Sequence, residues 1–370
     1  MKENVKSFNI GFDAKRAYHN KTGLGVYSRS IIAALEQFYP KLTLILFNPK
    51  KTTSFQFNHQ EITPNHFISK RFHSFWRSFL WTESHKQKID LFHGLSAELP
   101  FNMPKAIKKV VTIHDLLFER FPSDYPFFDR FMYRLKAKYA CKTADIIIAV
   151  SEATKKDLID FYKIQSEKII VIGIPFAQKN LTIKKTIDIS KPFIVCIASF
   201  IPRKNQENLV LAFEKIASVV DFDLILVGNP RGPYFKKVQK LIQKSNISNR
   251  IHLLSQLEDN QIAWLYTNAL FSVYPSHYEG FGIPVLESIS YQCPVLASKI
   301  QSTVEISHEV PLFFNSKSVE DFAEKMRFLY ENLESFKTNT INNRSEILKK
   351  YSDKNIADSL FKLYQQLLND

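Results

Sequence analysis

The chain has 370 residues, 45% of them hydrophobic, and a net charge of +14. It is long for one domain and sufficient for two with cores of their own. Its three cysteines, Cys141, Cys196 and Cys293, stand far apart. That spacing excludes a disulfide framework and a cysteine metal pair, and it favours a reducing compartment. The opening residues, MKENVKSFNIGF, lack the apolar core of a signal peptide. No apolar run approaches the roughly 20 residues of a membrane span, so a cytoplasmic protein is expected. The charge is lopsided. Residues 1–189 carry 30 Lys/Arg against 17 Asp/Glu, and residues 190–370 carry 20 against 19. A basic half suits a polyanionic partner, such as nucleic acid, an anionic membrane or a phosphorylated substrate; the alternative is a solvated surface.

In chain order, Phe8–Phe12 reads as a first strand, followed by a polar loop, Asp13–Thr22. Gly23-Leu24-Gly25 then leads into a helical run, Val26–Glu36. Strand, glycine loop and helix make a Rossmann-like opening, although Gly-x-Gly alone also fits a plain tight turn. Leu42–Phe47 reads as a second strand, and residues 50–66 are polar and irregular. In Phe67–Trp81, the residues Phe72, Phe75, Trp76, Phe79 and Leu80 recur at helical spacing beside Lys70, Arg71 and Arg77. A basic helix with an aromatic face can lie on an anionic membrane; the same stripe can equally be core. Leu91–His93 and Val110–Ile113 read as short strands, the second running into His114-Asp115. Ligands in open α/β sheets collect just past such strand ends, although Asp115 also fits an N-cap of a following turn and His114 a hydrogen-bonded structural histidine. Pro126–Tyr139 reads as a basic helix and Asp145–Val150 as a strand. Ser151 caps a helix running to Tyr162, and Ile169–Ile172 closes the first half.

Pro175 and the polar run Gln178–Lys191 mark a boundary. Strands are then expected at Phe193–Ala198, Asp223–Val227, Ile251–Leu254, Leu270–Tyr274 and Pro294–Ala297. Helices are expected at Gln206–Val219, Tyr234–Lys244, Asp259–Tyr266, Ile283–Ile289, Val319–Leu333 and Asp353–Leu368. This alternation predicts two parallel α/β domains, with ligands in the cleft between them. The expected division is 1–175, a linker 176–191, a second domain 192–352, and a terminal helix 353–370 that packs back on the first domain.

The chemistry concentrates in Ser272–Ser298. A strand gives way at Gly280 and Gly282 to a helix, where free backbone N–H groups at a positive helix end suit a diphosphate. Arg203 and Lys204, in the loop Ser199–Asn205, supply two cations for the same charge. Glu279 and Glu287 would repel phosphate, so they fit hydroxyl groups of ribose or sugar. A diphosphate with two polyhydroxylated ends describes a nucleotide sugar. No Asp, His or Cys cluster at metal-ligand spacing accompanies it, so no metal cofactor is expected and the cations would stand in for Mg²⁺.

These residues resemble the retaining glycosyltransferases of family 4, which have the GT-B fold, and most of all their mannosyltransferase-type members that build bacterial surface polysaccharides. The resemblance runs through IGFDAKRAYHNKTGLGVYSR (Ile10–Arg29), VVTIHD (Val110–Asp115), ADIIIAVSEATKKDL (Ala144–Leu158) and IASFIPRKNQENLVLAF (Ile197–Phe213). It is most specific in YPSHYEGFGIPVLES (Tyr274–Ser288), which is similar to the family's Glu-x7-Glu element. The resemblance implies that Glu279 holds donor-sugar hydroxyls and Glu287 the ribose. It implies that Arg203 and Lys204 neutralise the diphosphate, and that the amides of Gly280, Phe281 and Gly282 contact the sugar or phosphate. Gly23 and Gly25 would let the first-domain loop approach the diphosphate, and His114 would sit near the reacting carbon. The implied donor is GDP-mannose or a UDP-sugar, and the implied acceptor a glycan or lipid-linked saccharide, with configuration retained. From the basic first half and the Phe67–Trp81 stretch, and not from the resemblance, an anionic membrane surface is expected as a further partner, with the enzyme peripheral on the inner face of the membrane.

Four departures bear on loop shape. GIPFA replaces a Pro-x-Gly-type turn after Ile172, and Gln292 stands where glycine is common. Leu254-Ser255 replaces Leu-Gly, and Glu305–Phe313 lacks Gly-Asp-Ala. The alternatives are a sugar-nucleotide epimerase of the same architecture, which would turn over without an acceptor, and a basic nucleic-acid-binding protein. No recognition motif supports the second, so nucleic acid is not an expected partner.

Overall fold

The computed structural model describes residues 8–369 apart from 53, 65–87, 102, 179, 180, 182 and 184–188. The aromatic stretch Phe67–Trp81 lies outside the described residues. The chain forms two compact units: Met1–Pro175 with Tyr351–Asp370, and Phe176–Lys350.

The first unit is built on a seven-stranded parallel sheet. Its strands are β1 (Asn9–Asp13), β2 (Thr43–Phe47), β3 (Gln60–Ile62), β4 (Leu91–Gly94), β5 (Lys108–Ile113), β6 (Ile146–Ala149) and β7 (Ile169–Val171), in spatial order β3-β2-β1-β4-β5-β6-β7. Their apolar runs are buried on both faces, as parallel strands covered by helices require. The helices are α1 (Lys15–His19), α2 (Gly23–Phe38), α3 (Leu117–Arg120), α4 (Phe127–Thr143), α5 (Glu152–Tyr162) and the C-terminal helix, here α13 (Asp353–Asn369). Helix α13 packs on α2: Tyr39 stacks on Phe361 with ring centroids 4.0 Å apart and donates a hydrogen bond to Asp358. Ile356, Ala357, Leu360, Phe361, Leu363 and Tyr364 join the core of this unit.

The second unit holds a six-stranded parallel sheet of β8 (Phe193–Ile197), β9 (Asp223–Val227), β10 (Ile251–Leu254), β11 (Ser272–Tyr274), β12 (Val295–Ser298) and β13 (Leu312–Phe314). The order is β10-β9-β8-β11-β12-β13. Its helices are α6 (Gln206–Ile216), α7 (Gly232–Lys244), α8 (Asp259–Asn268), α9 (Ile283–Ser290), α10 (Gln301–Ser307), α11 (Val319–Glu331) and α12 (Leu333–Lys350). No helix among the described residues is long and apolar enough to cross a membrane.

The strand orders place the ligand-bearing edges. In the second sheet the chain steps outward one way from β8 and the other way from β11, so the loops after β8 and β11 diverge from neighbouring strands. In the first sheet the same reversal falls between β1 and β4. A parallel sheet opens a crevice at the C-terminal ends of its strands where the order reverses.

The structure differs from the sequence expectation in several places. The polar loop Asp13–Thr22 contains α1, because Ala17 and Tyr18 have a core to enter. Helix α2 starts at Gly23 itself, so both glycines occupy its first turn instead of a preceding loop. The edge strand β3, with α10, β13 and α12, was not anticipated from the pattern.

Candidate active site

In the second unit, β8 ends in a short 3-10 turn, Pro202–Lys204, which puts Arg203 and Lys204 at the reversal point. The turn ends on Asn205, whose φ of 59° is left-handed, a conformation asparagine tolerates better than most residues. Asn205 is buried and donates to the carbonyls of Pro275 (3.1 Å) and Ser316 (3.0 Å). The His277 N–H donates to the Arg203 carbonyl at 2.8 Å. The loop after β8 is therefore tied to the loop after β11 by backbone and amide bonds before any charged side chain is considered.

On that frame, Glu279 Oε1 lies 2.7 Å from Arg203 Nη1 and 2.7 Å from Lys204 Nζ. These are close ion pairs without hydrogen-bond angles. All three side chains are largely buried, at 14%, 13% and 11% exposure for Arg203, Lys204 and Glu279. Partial burial weakens screening, so the residual single positive charge acts over a short range in a lower dielectric. Gly280 and Phe281 complete the turn, and Phe281 is buried. Gly282 caps α9 with φ +143°, a conformation L side chains rarely adopt. An added Cβ there would also stand 2.7 Å from Ile306 Cδ1.

Glu287, one turn further into α9, does not join this cluster. Its Oε2 accepts from the Tyr266 hydroxyl at 3.2 Å. Tyr266 is fully buried and lies parallel to Tyr291 with centroids 6.0 Å apart. Burial, and after it the Glu287 charge, push the Tyr266 hydroxyl well above the ordinary tyrosine range, so it remains a donor. Tyr266 holds the Glu287 carboxylate by this bond; the sequence reading does not single it out beyond the helix Asp259–Tyr266. A second missed feature is an open cavity of about 300 Å³ at the ends of β9 and β10, lined by Gly228, Asn229, Arg231, Gln256 and Leu257 among others. Gly228 is required at its wall, since an added Cβ would meet the Ala198 carbonyl at 2.3 Å.

The first unit places its candidates differently. Gly25 sits where the first turn of α2 presses on the preceding loop: an added Cβ would lie 1.7 Å from the Asn20 carbonyl oxygen. Around Gly23 the same test meets nothing within 4 Å. Gly25 thus serves the chain's own close approach, and Arg29 holds the loop by donating to the carbonyls of Asn20 (2.8 Å) and Ala17 (3.0 Å). His114, just past β5, donates from Nε2 to the Leu95 carbonyl at 3.0 Å. Burial lowers its pKa to about 4, with Arg16 nearby adding to the fall. The ring is therefore neutral at neutral pH and presents Nδ1 as an acceptor, suited to a hydroxyl and unsuited to a phosphate. The Tyr27 ring stands edge-on to it at 4.5 Å. The Tyr27 hydroxyl is 3.1 Å from Thr112 Oγ1, which is 2.8 Å from His93 Nε2, and His93 Nδ1 is 2.7 Å from the Tyr364 hydroxyl of α13. A buried polar chain so runs from the C-terminal helix to Tyr27, whose ring packs perpendicular to that of His114.

Among the described residues no group of three or more His, Cys, Asp or Glu could hold a metal ion. The three cysteines are buried and free.

Comparison with known proteins fits this construction. The family model "Glycosyltransferase Family 4" matches residues 21–174, and the model "Glycosyl transferases group 1" matches residues 178–346. Among curated relatives, O-antigen chain mannosyltransferase B of Escherichia coli is 26% identical over 242 residues, 62% of this chain and 62% of that protein. Serotype-specific mannosyltransferase WbdA of Escherichia coli is 26% identical over 258 residues, 64% of this chain and 31% of that protein. The aligned part thus spans less than two thirds of these relatives' own lengths. A glycosyltransferase structure from Rickettsia africae ESF-5 superposes with a TM-score of 0.75 at 20% identity, covering 99% of this chain and 100% of that one. Anabaena Alr3699/HepE in complex with UDP and glucose does so with a TM-score of 0.73 at 17% identity, covering 97% and 100%. At these identities the superpositions establish the fold. With two family models end to end on two parallel-sheet units, the chain belongs to the family 4 glycosyltransferases of the GT-B fold.

Proposed function

We propose that the chain is a retaining glycosyltransferase that moves a hexose, mannose in preference, from a nucleotide diphosphate sugar to a glycan or lipid-linked acceptor in surface polysaccharide synthesis. The observation that carries this reading is the convergence of Arg203 and Lys204 on Glu279 beside the glycine-capped start of α9. Two cations and a helix N-terminus match a diphosphate, whose charge grows at the leaving oxygen as the glycosidic bond breaks. They supply that stabilisation without a divalent ion. Glu279 compensates these cations, so a diphosphate competes with it for them. The displaced carboxylate then accepts hydrogen bonds from donor-sugar hydroxyls. Glu287, oriented by Tyr266, accepts from the ribose. The cavity at the ends of β9 and β10 has room for a base. His114, neutral, accepts from a hydroxyl near the reacting carbon. The departing phosphate takes the acceptor's proton on the face it leaves, which retains configuration. Mannose is favoured because curated relatives are mannosyltransferases.

The test is calorimetry with GDP and UDP, then turnover of GDP-mannose and UDP-sugars with and without a saccharide acceptor, in EDTA. Nucleotide binding with acceptor-dependent transfer in EDTA, giving a product of the donor's anomeric configuration, is expected. Sugar inversion at a ring carbon without acceptor would assign an epimerase instead. A requirement for Mg²⁺ or Mn²⁺ would overturn the role given to the two cations.

A further inference from the structure

Among the described residues at the C-terminal edge of the first sheet, Arg16 is a cation without a protein partner. It stands in α1, three residues past β1. It is half-buried, and its Nε is shut away from solvent with no hydrogen-bond acceptor among the described residues. Other arginines of this unit are held. Arg29 donates to the Asn20 and Ala17 carbonyls, Arg120 pairs with Asp157 and Arg134 with Glu119. Arg130 shares the unpartnered Nε; of the two, Arg16 is the one whose charge acts on a candidate site residue. A buried guanidinium N–H without an acceptor is costly, and such an exception needs a reason.

Position supplies one. The sheet order runs β1-β4-β5, so only β4 separates the end of β1 from the end of β5, where His114 follows. At strand spacings of roughly 4.8 Å the two strand ends stand about 10 Å apart. An arginine, an imidazole and one small ligand can share a gap of that size. His114 is half-buried, as Arg16 is, so neither is sealed from a ligand. The Arg16 charge is felt at the imidazole. Burial lowers His114 most, the bond to the Leu95 carbonyl opposes this, and Arg16 lowers it further. The acids at these strand ends are engaged locally: Asp13 accepts the Lys15 N–H at 3.2 Å and Asp115 the Leu117 N–H at 3.1 Å. The edge thus offers a charged fork of N–H donors and, beside it, the neutral acceptor Nδ1 of His114.

We propose that Arg16 binds the phosphate of a sugar phosphate, one of whose hydroxyls donates to His114. The guanidinium fork matches two phosphate oxygens, and the neutral imidazole takes a hydroxyl. A sugar phosphate carries both groups within a few bonds. Phosphate alone would leave Nδ1 without a donor, and a neutral sugar would leave Arg16 Nε without an acceptor. Gly25 does not take this role, since it serves the chain's own close approach. Two ligands of the proposed reaction carry such a group: a nucleotide sugar, at the phosphate bonded to its sugar, and an acceptor saccharide that bears a phosphate. The sugar part of the ligand rests on the transferase reading; the anion at Arg16 does not.

The probe is mannose 1-phosphate, with mannose as the uncharged control, titrated into the full chain by saturation-transfer NMR and calorimetry. Mannose 1-phosphate should bind roughly tenfold or more tightly than mannose, and Arg16→Gln should remove that advantage. Arg16→Lys should recover part of it, since a point charge replaces the fork. Because Arg16 makes no side-chain bond to the protein, Arg16→Met should melt no lower than the parent while losing the anion. An arginine kept for structure would do the reverse. Arg16→Met also serves if Arg16→Gln does not fold. The source of the phosphate is read with GDP-mannose or UDP-glucose, whichever the parent binds. An equal loss of its affinity in Arg16→Gln assigns the site to the donor's phosphate. A loss confined to mannose 1-phosphate assigns it to an acceptor's phosphate. Mannose 1-phosphate contains no nucleotide, so a chain that binds neither GDP nor UDP would sink the transferase reading and leave this result standing. Mannose 1-phosphate that fails to bind the parent, or binds Arg16→Gln as it binds the parent, would overturn the proposal.

Discussion

In the second unit the candidate side chains are charged and touch one another; in the first the candidate side chain, His114, is neutral and packs against the end of a chain of buried hydroxyls. Arg203, Lys204 and Glu279 sit within 2.7 Å contacts on two stitched loops. His114 is held neutral by burial and faces a chain of Tyr27, Thr112, His93 and Tyr364. Charge in one unit and enforced neutrality in the other suit different tasks. A diphosphate needs cations held ready in the geometry of the transition state. A hydroxyl near a developing positive carbon needs an acceptor that is not itself cationic. The comparison can be broken from either side.

The largest expected effect is on the charged side. Arg203→Ala should lower kcat by about 10²- to 10³-fold, the usual cost of removing a preorganised donor at a developing charge. Arg203→Lys should recover part of it, since a point charge replaces a fork. Steady-state kinetics in EDTA provide the check. A variant with near-parental kcat would mean that the ion pair is structural and that the charged half of the comparison has no catalytic content.

Nucleotide affinity is the next measurement. Glu287→Ala should weaken binding of the nucleoside diphosphate on the order of a hundredfold, because hydrogen bonds to a charged acceptor are worth about 1.5–3 kcal/mol each. Tyr266→Phe removes only the 3.2 Å bond that orients the carboxylate. It should cost about 1 kcal/mol, roughly fivefold, with kcat little changed. Calorimetry separates the two. Equal losses would make Tyr266 more than a positioning residue.

The neutral side is tested by pH. Burial lowers His93 to about 3 and His114 to about 4, against 6.5 for an exposed imidazole. Below pH 6.5 the unfolded chain binds protons that the folded chain does not, so stability falls as pH falls and levels off only near those folded values. At pH 5.5 each histidine costs about 1.4 kcal/mol relative to pH 7.5. Urea titrations from pH 7.5 to 5.5 should show this slope, and His93→Gln should remove about half of it whatever its effect at pH 7.5. An unchanged slope would place the titrating groups elsewhere.

How much of this could be read beforehand depended on the kind of signal. Short runs rich in apolar residues mark parallel strands, so Asp223–Val227, buried throughout, and Ile251–Leu254, buried only at Ile251, were legible to the residue. Strand β3, Gln-Glu-Ile at an exposed edge, has no such run. Helix α12 buries only Thr340 and Ile347, so no apolar stripe announces it. Arg203, Lys204, Glu279 and Glu287 were legible as residue types at a strand end and a helix start, and by resemblance. Their pairing was not: the carboxylates were assigned to hydroxyls because they would repel phosphate, whereas the structure shows Glu279 against the cations. The link between His93 and Tyr364 spans 271 positions and leaves no local mark. Gly23 and Gly25 looked equivalent in sequence, yet only Gly25 faces a backbone atom.

The smallest expected effect lies at the far end of the charged site's own helix. Helix α9 begins on Gly282, whose φ of +143° suits glycine, and its exit passes through Gln292, whose φ of 59° does too. Gln292 is exposed, and its N–H donates to the Ile289 carbonyl at 3.0 Å, a bond that needs no side chain. A left-handed L residue costs roughly 1–2 kcal/mol, and glycine gives back part of that gain through its freer unfolded chain. Gln292→Gly should therefore stabilise the protein by about 0.5–1 kcal/mol, read as a rise of a few degrees in Tm at most. Nucleotide affinity should not change if the turn keeps its course, because the contact with the Tyr266–Glu287 pair is made by Tyr291, which lies parallel to Tyr266 and donates its N–H to the Glu287 carbonyl. A change in affinity would show that the exit sets the pose of Glu287, and would draw the boundary of the charged site further along the helix than Tyr266 does.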